Sequence, residues 1–100
     1  MIDVTRPLPQ NEARKLAVKI AREGSVVPST HAKQEMASDP LGPIALNDIM
    51  NVLRMGRLFE PCEMSDGTWR YRIHTDRFCV VVAFRSEGSL VVVTTWRKKS

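Results

Sequence analysis

The chain has 100 residues, 43% of them hydrophobic, and a formal net charge of +4. A chain of this size can bury well over half of its unfolded surface, so we expect one domain over residues 1–100. Residues 51–100 hold nine Lys and Arg against five Asp and Glu, which favours a polyanionic partner. No apolar window reaches a membrane-spanning length and the N-terminus has no apolar leader core, so we expect a cytoplasmic protein with no membrane partner.

The first half of the chain predicts helices. Asn11 is the expected N-cap of the first helix, and Gly24 is expected to end it in the left-handed conformation. Ser29 or Thr30 caps a short second helix, and apolar residues at i, i+3, i+4 and i+7 predict a third helix that ends at Gly56. The predicted helices cover residues 12–24, 30–37 and 45–55, with an extended connection at 26–28.

The second half of the chain predicts strands. The pair Asp66-Gly67 is a strong signal for a hairpin turn, and a nearly continuous apolar run at 78–84 predicts a central strand covered on both faces. The four predicted strands cover residues 58–64, 68–75, 77–85 and 89–96. Three helices followed by a four-stranded antiparallel meander predict an α+β fold. In this fold the helices cover one face of the sheet and the other face is partly open.

The strand at 68–74 alternates between an apolar face and a cationic face. The apolar side chains are Trp69, Tyr71 and Ile73, and the cationic side chains are Arg70, Arg72 and His74. Neighbours on one face lie about 7 Å apart, so the two arginines can bind one phosphate or two adjacent phosphates. Like charges at this spacing repel unless solvent or an anion separates them, which predicts a phosphate-binding groove. The alternatives are an ordinary charged sheet surface and, for His74 beside a turn, a surface histidine.

His31 is the candidate acid–base residue. In the first turn of a helix the dipole disfavours the imidazolium, which leaves a neutral imidazole able to accept a proton, and the same helix start attracts phosphate. A histidine that only caps the helix or fills a polar gap is the alternative. In the last strand Thr95 and Arg97 share one face, so they would add a hydroxyl and a third cation if that face lies near the arginines. Otherwise Thr95 is an ordinary strand former.

Several kinds of chemistry lack their motifs. The sequence contains no Gly-rich phosphate loop, His-Glu-x-x-His, nucleophile elbow or Cys-x-x-Cys. Cys62 and Cys79 are read as reduced, packed thiols. Together with His31 and His74 they could in principle bind zinc, but no two of the four residues have the short sequence spacing that is typical of paired zinc ligands. The carboxylates that would hold magnesium are not clustered, so we expect no cofactor and metal-free phosphoryl chemistry.

Four short segments carry a resemblance to a known family. They are Ser29-Thr30-His31-Ala32, the pattern Ile-x-x-x-x-Ile-x-x-Val-Leu-x-x-Gly at 44–56, Arg70-Tyr71-Arg72, and Val91-Val92-Val93-Thr94-Thr95-Trp96-Arg97. In order and spacing, over residues 25–97, they resemble a family of small bacterial domains related to toxins of the RelE and MqsR type. The resemblance implies helices on an antiparallel sheet, as in barnase-like and colicin-type ribonucleases.

The resemblance also implies a function, namely metal-independent cleavage of RNA by a toxin that an antitoxin or immunity protein neutralises. In this reaction the ribose 2′-hydroxyl attacks the adjacent phosphate, with an acid, a base and cations to stabilise the transition state. The implied catalytic residues are His31 as acid or base, Arg70 and Arg72 as phosphate clamp, and Thr95 as orienting hydroxyl. The expected further RNA contacts are His74, Arg97, Lys98 and Lys99. A non-catalytic nucleic-acid- or protein-binding module of the same fold is the alternative.

Overall fold

A computed structural model of the chain describes residues 2–58 and 61–98. The helices are α1 (Gln10–Glu23), α2 (Thr30–Ser38) and α3 (Leu46–Met55), and the strands are β1 (Ser25–Pro28), β2 (Glu63–Ser65), β3 (Thr68–His74), β4 (Phe78–Ser86) and β5 (Ser89–Arg97). The strands form one sheet in the order β1-β5-β4-β3-β2. Helices α1 and α3 pack against each other and against one face of this sheet, which confirms the α+β class. None of the described helices is long and apolar enough to cross a membrane.

The sheet has one strand more than the sequence predicts. Strands β2 to β5 form the predicted antiparallel meander, but β1 pairs with β5 in parallel, from Ser25 opposite Ser89 to Pro28 opposite Val92. The prediction of a four-stranded antiparallel sheet is therefore wrong, and the sheet is mixed. The sequence predicts an extended segment at 26–28, and the structure makes it part of this added strand. An edge strand tolerates proline, since it has one side without ladder partners.

The first helix begins and ends differently from the prediction. Pro9, not Asn11, stands at the N-cap, and its carbonyl accepts a hydrogen bond from the N–H of Ala13 at 2.9 Å. Gly24 has extended backbone angles, φ −113° and ψ −158°, so it is not a left-handed stop. A Cβ atom at Gly24 would lie 2.4 Å from the carbonyl oxygen of Gly88. Residue 24 therefore has to be glycine, because the backbone of the β4–β5 turn approaches it too closely for a Cβ atom.

Three other local predictions are confirmed. The hydroxyl of Ser29 caps α2 by accepting a hydrogen bond from the N–H of Ala32 at 3.0 Å. Asp66 and Gly67 have φ of 49° and 79° and form the two-residue turn between β2 and β3. Helix α3 ends at Gly56. The first meander strand is shorter than the predicted range 58–64, because β2 covers only Glu63–Ser65; residues 59 and 60 lie outside the described residues.

The core lies between α1, α3 and the inner face of the sheet, the face that these helices cover. Strand β3 contributes Tyr71 and Ile73, which are buried as predicted, while Trp69 is partly buried against the same cluster. Strand β4 is buried from residue 78 to residue 84, which confirms that both of its faces are covered. Its core side chains are Phe78, Val80, Val82 and Phe84, and the other side chains in this stretch, Cys79, Val81 and Ala83, lie on the outer face.

The lead-in before α1 is held against β3. The N–H of Leu8 donates to the Tyr71 hydroxyl at 2.9 Å, and the indole N–H of Trp69 donates to the Thr5 carbonyl at 3.1 Å. Burial raises the pKa of Tyr71 above its ordinary value. Tyr71 is thus a core residue that anchors the N-terminal segment, in agreement with its assignment to the apolar face of the strand.

Candidate functional site

A β-bulge in β5 decides which side chains reach the outer face of the sheet. Val82 pairs with Val92 but Val81 pairs with Thr94, so Val93 is an extra residue on β5. An extra residue shifts the alternation of side chains by one position. Before the bulge, Leu90 and Val92 point into the core. After it, Thr95 is the buried residue, and Thr94 and Trp96 lie on the outer face.

Because of the bulge, Thr95 points into the core and is not part of the predicted site. Thr95 is 1% exposed, and its hydroxyl donates to the Cys79 carbonyl at 2.9 Å inside the sheet. The expectation that Thr95 joins the arginines assumed unbroken alternation along β5. Because the alternation breaks at Val93, the hydroxyl on the outer face belongs to Thr94.

Arg97 lies on the same face of β5 as Thr95, the face that points toward the helices. Its Nε lies 3.3 Å from Asp39 Oδ1, and its Nη2 donates to the Gly42 carbonyl at 3.0 Å. The guanidinium also lies over the ring of Phe78, 5.1 Å from the centroid. The backbone N–H of Leu41 and, to a lesser extent, Arg97 hold the pKa of Asp39 below its ordinary value. Arg97 therefore ties β5 to the loop after α2 and does not reach the outer face.

The outer face carries a cleft of about 190 Å³. Its lining residues are Pro61, Glu63, Ser65, Arg70, Arg72, Val81, Thr94 and Trp96. From the strand order, β2 and Pro61, two residues before it, form one wall, β3 and β4 form the floor, and β5 forms the other wall. The predicted pair Arg70 and Arg72 is therefore brought together in one depression on the open face of the sheet.

The two arginines differ in their partners. Arg70 has its Nη2 3.3 Å from Asp66 Oδ2, and its buried Nε has no hydrogen-bond partner among the described residues. Glu63 lies directly opposite Arg70 on β2 and brings a carboxylate into the cleft. Arg72 is exposed and has no carboxylate within 4 Å in the described part of the chain. Arg72 thus provides a cation that is available to an anionic ligand.

A chain of side-chain contacts connects the cleft to the predicted acid–base residue. The hydroxyl of Thr94 donates to Glu35 Oε1 in a short hydrogen bond, and the same oxygen lies 3.2 Å from Nε2 of His31. His31 and Glu35 are one helical turn apart on α2, a spacing at which side chains meet. His31 itself does not line the cleft, and its side chain is 69% exposed. The structure therefore links His31 to the arginine cleft through Glu35 and Thr94.

The sheet register places these groups in one row. Arg72 lies opposite Val81, and Val81 lies opposite Thr94. Neighbouring strands are about 4.8 Å apart, so the backbones at Arg72 and Thr94 are separated by about 10 Å. The row continues through Glu35 to His31 on α2, which runs beside the second half of β5 where β1 no longer pairs with it.

Two other predicted RNA contacts, His74 and Lys98, lie outside the cleft. His74 lines a separate depression with Met55 and Arg57, beyond the end of α3. Lys98 follows β5, donates its backbone N–H to the Arg77 carbonyl at 2.7 Å and does not line the cleft. Lys99 lies outside the described residues.

Sequence reasoning missed four residues of this region, Glu35, Glu63, Thr94 and Trp96. The i, i+4 spacing of His31 and Glu35 was a usable signal, because histidine and carboxylate at this spacing pair on a helix. Thr94 and Trp96 had no usable signal, since the bulge decides their face. In residues 2–58 and 61–98, no three His, Cys, Asp or Glu side chains are grouped so as to hold a metal ion, and this includes Cys62, Cys79, His31 and His74.

Comparisons of the chain with protein-family models, with curated proteins and with solved structures give no match. The resemblance to RelE- and MqsR-type toxins therefore stays a prediction from the sequence. The evidence for a function lies in the cleft and in the side-chain contacts that link it to His31.

Proposed function

We propose that the outer face of the sheet binds RNA and cleaves it without a metal ion. The observation that carries this proposal is the chain of side-chain contacts from His31 through Glu35 to Thr94, which ends in the cleft that holds Arg70 and Arg72. A phosphate clamp and a group that exchanges protons are the two requirements for cleavage by the neighbouring 2′-hydroxyl. The residues of this row supply both.

The arginines bind the reacting phosphate. As the 2′-oxygen attacks phosphorus, negative charge grows on the non-bridging oxygens, and Arg72 with Arg70 stabilises it. The P–O5′ bond then breaks, which leaves a 2′,3′-cyclic phosphate and a 5′-hydroxyl. Two protons move in this step, one from the 2′-hydroxyl and one to the 5′-oxygen.

His31 transfers one of these two protons. Glu35 Oε1 lies 3.2 Å from its Nε2, which leaves Nδ1 for the substrate. Thr94 orients Glu35 and takes the orienting role that the resemblance implies for Thr95. Glu63, on the opposite wall, is the carboxylate of the cleft that accepts the proton of the 2′-hydroxyl, and His31 donates the proton that the 5′-oxygen takes.

The cellular role we propose follows from the resemblance. The protein acts in the cytoplasm as the toxin of a toxin–antitoxin or related effector system, and its partner is an antitoxin or immunity protein. Expression of the intact chain is expected to arrest growth, and co-expression of the neighbouring reading frame is expected to restore it. Growth that is unaffected by the intact chain would contradict the toxin role.

A non-catalytic RNA-binding module is the second candidate. The observation that favours it is the position of His31 outside the cleft lining, with most of its side chain exposed. In such a module the arginines bind phosphates and no bond is broken. Affinity would then fall steeply with salt, as counterions are released, and RNA would remain intact.

The two candidates separate in a cleavage assay in EDTA. We expect the purified protein to cleave RNA, and His31→Ala and Arg72→Ala each to lower the rate by at least about 100-fold, the contribution typical of a proton-transfer group and of a donor that stabilises the transition-state charge, respectively. Lys33→Ala and Arg85→Ala are matched controls, because both residues are exposed and neither lines the cleft. Equal cleavage by all five proteins would refute the assignment, and binding without cleavage would favour the module.

A further inference from the structure

Trp96 is the aromatic residue of the cleft, and the proposed chemistry does not use it. Its side chain is 38% exposed on the outer face, where it lines the same depression as Arg70 and Arg72. Thr94 and Trp96 are two residues apart on the same face of β5, a separation of about 7 Å. The indole therefore lies beside the position at which the arginines would hold a phosphate.

The other tryptophan, Trp69, has the contacts expected of an indole with a structural role. Trp69 packs against the core cluster, and its ring N–H donates to the Thr5 carbonyl at 3.1 Å. Trp96 is outside the core cluster, and its ring N–H makes no hydrogen bond within residues 2–58 and 61–98. A large apolar ring left on an open, arginine-bearing face indicates a contact surface for a ligand.

The size of the cleft limits what can enter it. Pockets that enclose a whole small molecule measure about 300–1,000 Å³, whereas this cleft is about 190 Å³. It therefore fits one part of a longer ligand, such as a single base with its phosphate. Pro61 lines the wall opposite Trp96, so two apolar surfaces border the space above the arginines.

We propose that Trp96 stacks on one unpaired nucleobase whose phosphate lies at Arg70 and Arg72. This inference rests on the proposed function, that the outer face binds RNA, and it adds the residue that selects the form of the RNA. Bases in a duplex are stacked on each other and paired, so their faces cannot reach an indole on the wall of a cleft. Single strands expose these faces. The site therefore prefers single-stranded RNA to duplex RNA of the same sequence.

Fluorescence of Trp96 tests the proposal directly. The chain has two tryptophans, so Trp69→Phe leaves Trp96 as its sole indole and Trp96→Phe leaves Trp69 as the matched control. The ligand is a single-stranded 2′-O-methyl oligonucleotide, which the proposed reaction cannot cleave, with an end label that reports binding independently. We expect the single strand to quench emission in Trp69→Phe and not in Trp96→Phe. The duplex form is expected to leave emission unchanged in both variants.

Affinity gives a second measurement. Loss of one base–aromatic stack weakens binding of single-stranded nucleic acid by between about fivefold and about 150-fold, and Trp96→Ala is expected to fall in this range. Should Trp69→Phe fail to fold, the quenching lost between the intact protein and Trp96→Phe reports the same contact.

The outcomes separate this proposal from the proposed function. Labelled single strand that binds without quenching Trp96, or duplex that binds equally well, would overturn the stacking proposal and leave RNA cleavage untouched. If the single strand quenches Trp96 emission but the protein does not cleave RNA, the stacking proposal is supported and the ribonuclease proposal is overturned. No binding of either form would overturn both.

Discussion

Exchanging each of the two neighbouring threonines of β5 for valine separates the site from the core. Thr94→Val removes the hydroxyl that bonds to Glu35 in the cleft, and Thr95→Val removes the hydroxyl that bonds to the Cys79 carbonyl inside the sheet. Valine keeps the shape and strand preference of threonine, so each change tests one hydrogen bond. The bulge at Val93 predicts opposite results for the two variants.

The magnitudes follow from the environment of each hydroxyl. Thr95 is 1% exposed, and a net loss of about 0.5–1.5 kcal/mol for its hydrogen bond corresponds to a fall in Tm of about 2–12 °C in a domain of this size. Glu35 has a side chain that is 32% exposed, so water can replace the Thr94 hydroxyl. We therefore expect Thr94→Val to change Tm by less than about 4 °C. Thr94→Val also removes a hydrogen bond to the Glu35 carboxylate. If this loss raises the activation barrier by about 1.4 kcal/mol, cleavage becomes about tenfold slower.

Thermal denaturation followed by circular dichroism, together with the EDTA cleavage assay, measures both effects on the same samples. The expected pattern is crossed, with slower cleavage and nearly unchanged Tm for Thr94→Val, and lower Tm with unchanged cleavage per folded molecule for Thr95→Val. The reverse pattern would refute the bulge and restore unbroken alternation along β5. Unchanged cleavage in both variants would show that the Thr94–Glu35 hydrogen bond has no part in the mechanism.

The remaining predictions concern contacts that hold the fold. Arg97→Gln breaks the ion pair with Asp39, so we expect a lower Tm and unchanged RNA cleavage. The pKa of Asp39 is lowered by the backbone N–H of Leu41 and, to a lesser extent, by the side chain of Arg97. The Asp39 carboxylate therefore contributes stability above pH 3.8, and this contribution is lost as the pH falls below that value. Asp39→Asn should remove this part of the acid dependence of urea unfolding. Tyr71→Phe leaves the N–H of Leu8 without its acceptor and should lower the free energy of unfolding by about 1–3 kcal/mol. Because burial raises the pKa of Tyr71, the intact protein should lose stability as the pH rises above 10.0, and this loss should be smaller in Tyr71→Phe.

Local patterns in the sequence predicted most of the elements. Periods of 3.6 and 2 residues, with the hairpin at Asp66 and Gly67, locate the helices and the meander because they depend on neighbouring residues alone. The same alternation correctly separates the buried Tyr71 and Ile73 from Arg72 on the outer face. The candidate groove was therefore predictable as a cationic strand face, although not its walls.

Long-range pairing could not be predicted in this way. Strand β1 is four residues long, and its parallel partner β5 lies more than sixty residues further along the chain. Nothing within such a short segment distinguishes an extended connection from an edge strand. The link between His31 and the cleft likewise depends on α2 lying beside β5, which only the packed chain shows.

The sequence by itself determined the helices, the meander and the paired arginines, and the tertiary structure decided which residues stand beside those arginines. The run from Val91 to Thr95 consists entirely of β-branched residues, so locally every register is equally acceptable. Packing selects among them: the bulge buries Leu90 before it and Thr95 after it, and it directs Arg97 toward Asp39. The same one-residue shift places Thr94 and Trp96 in the cleft.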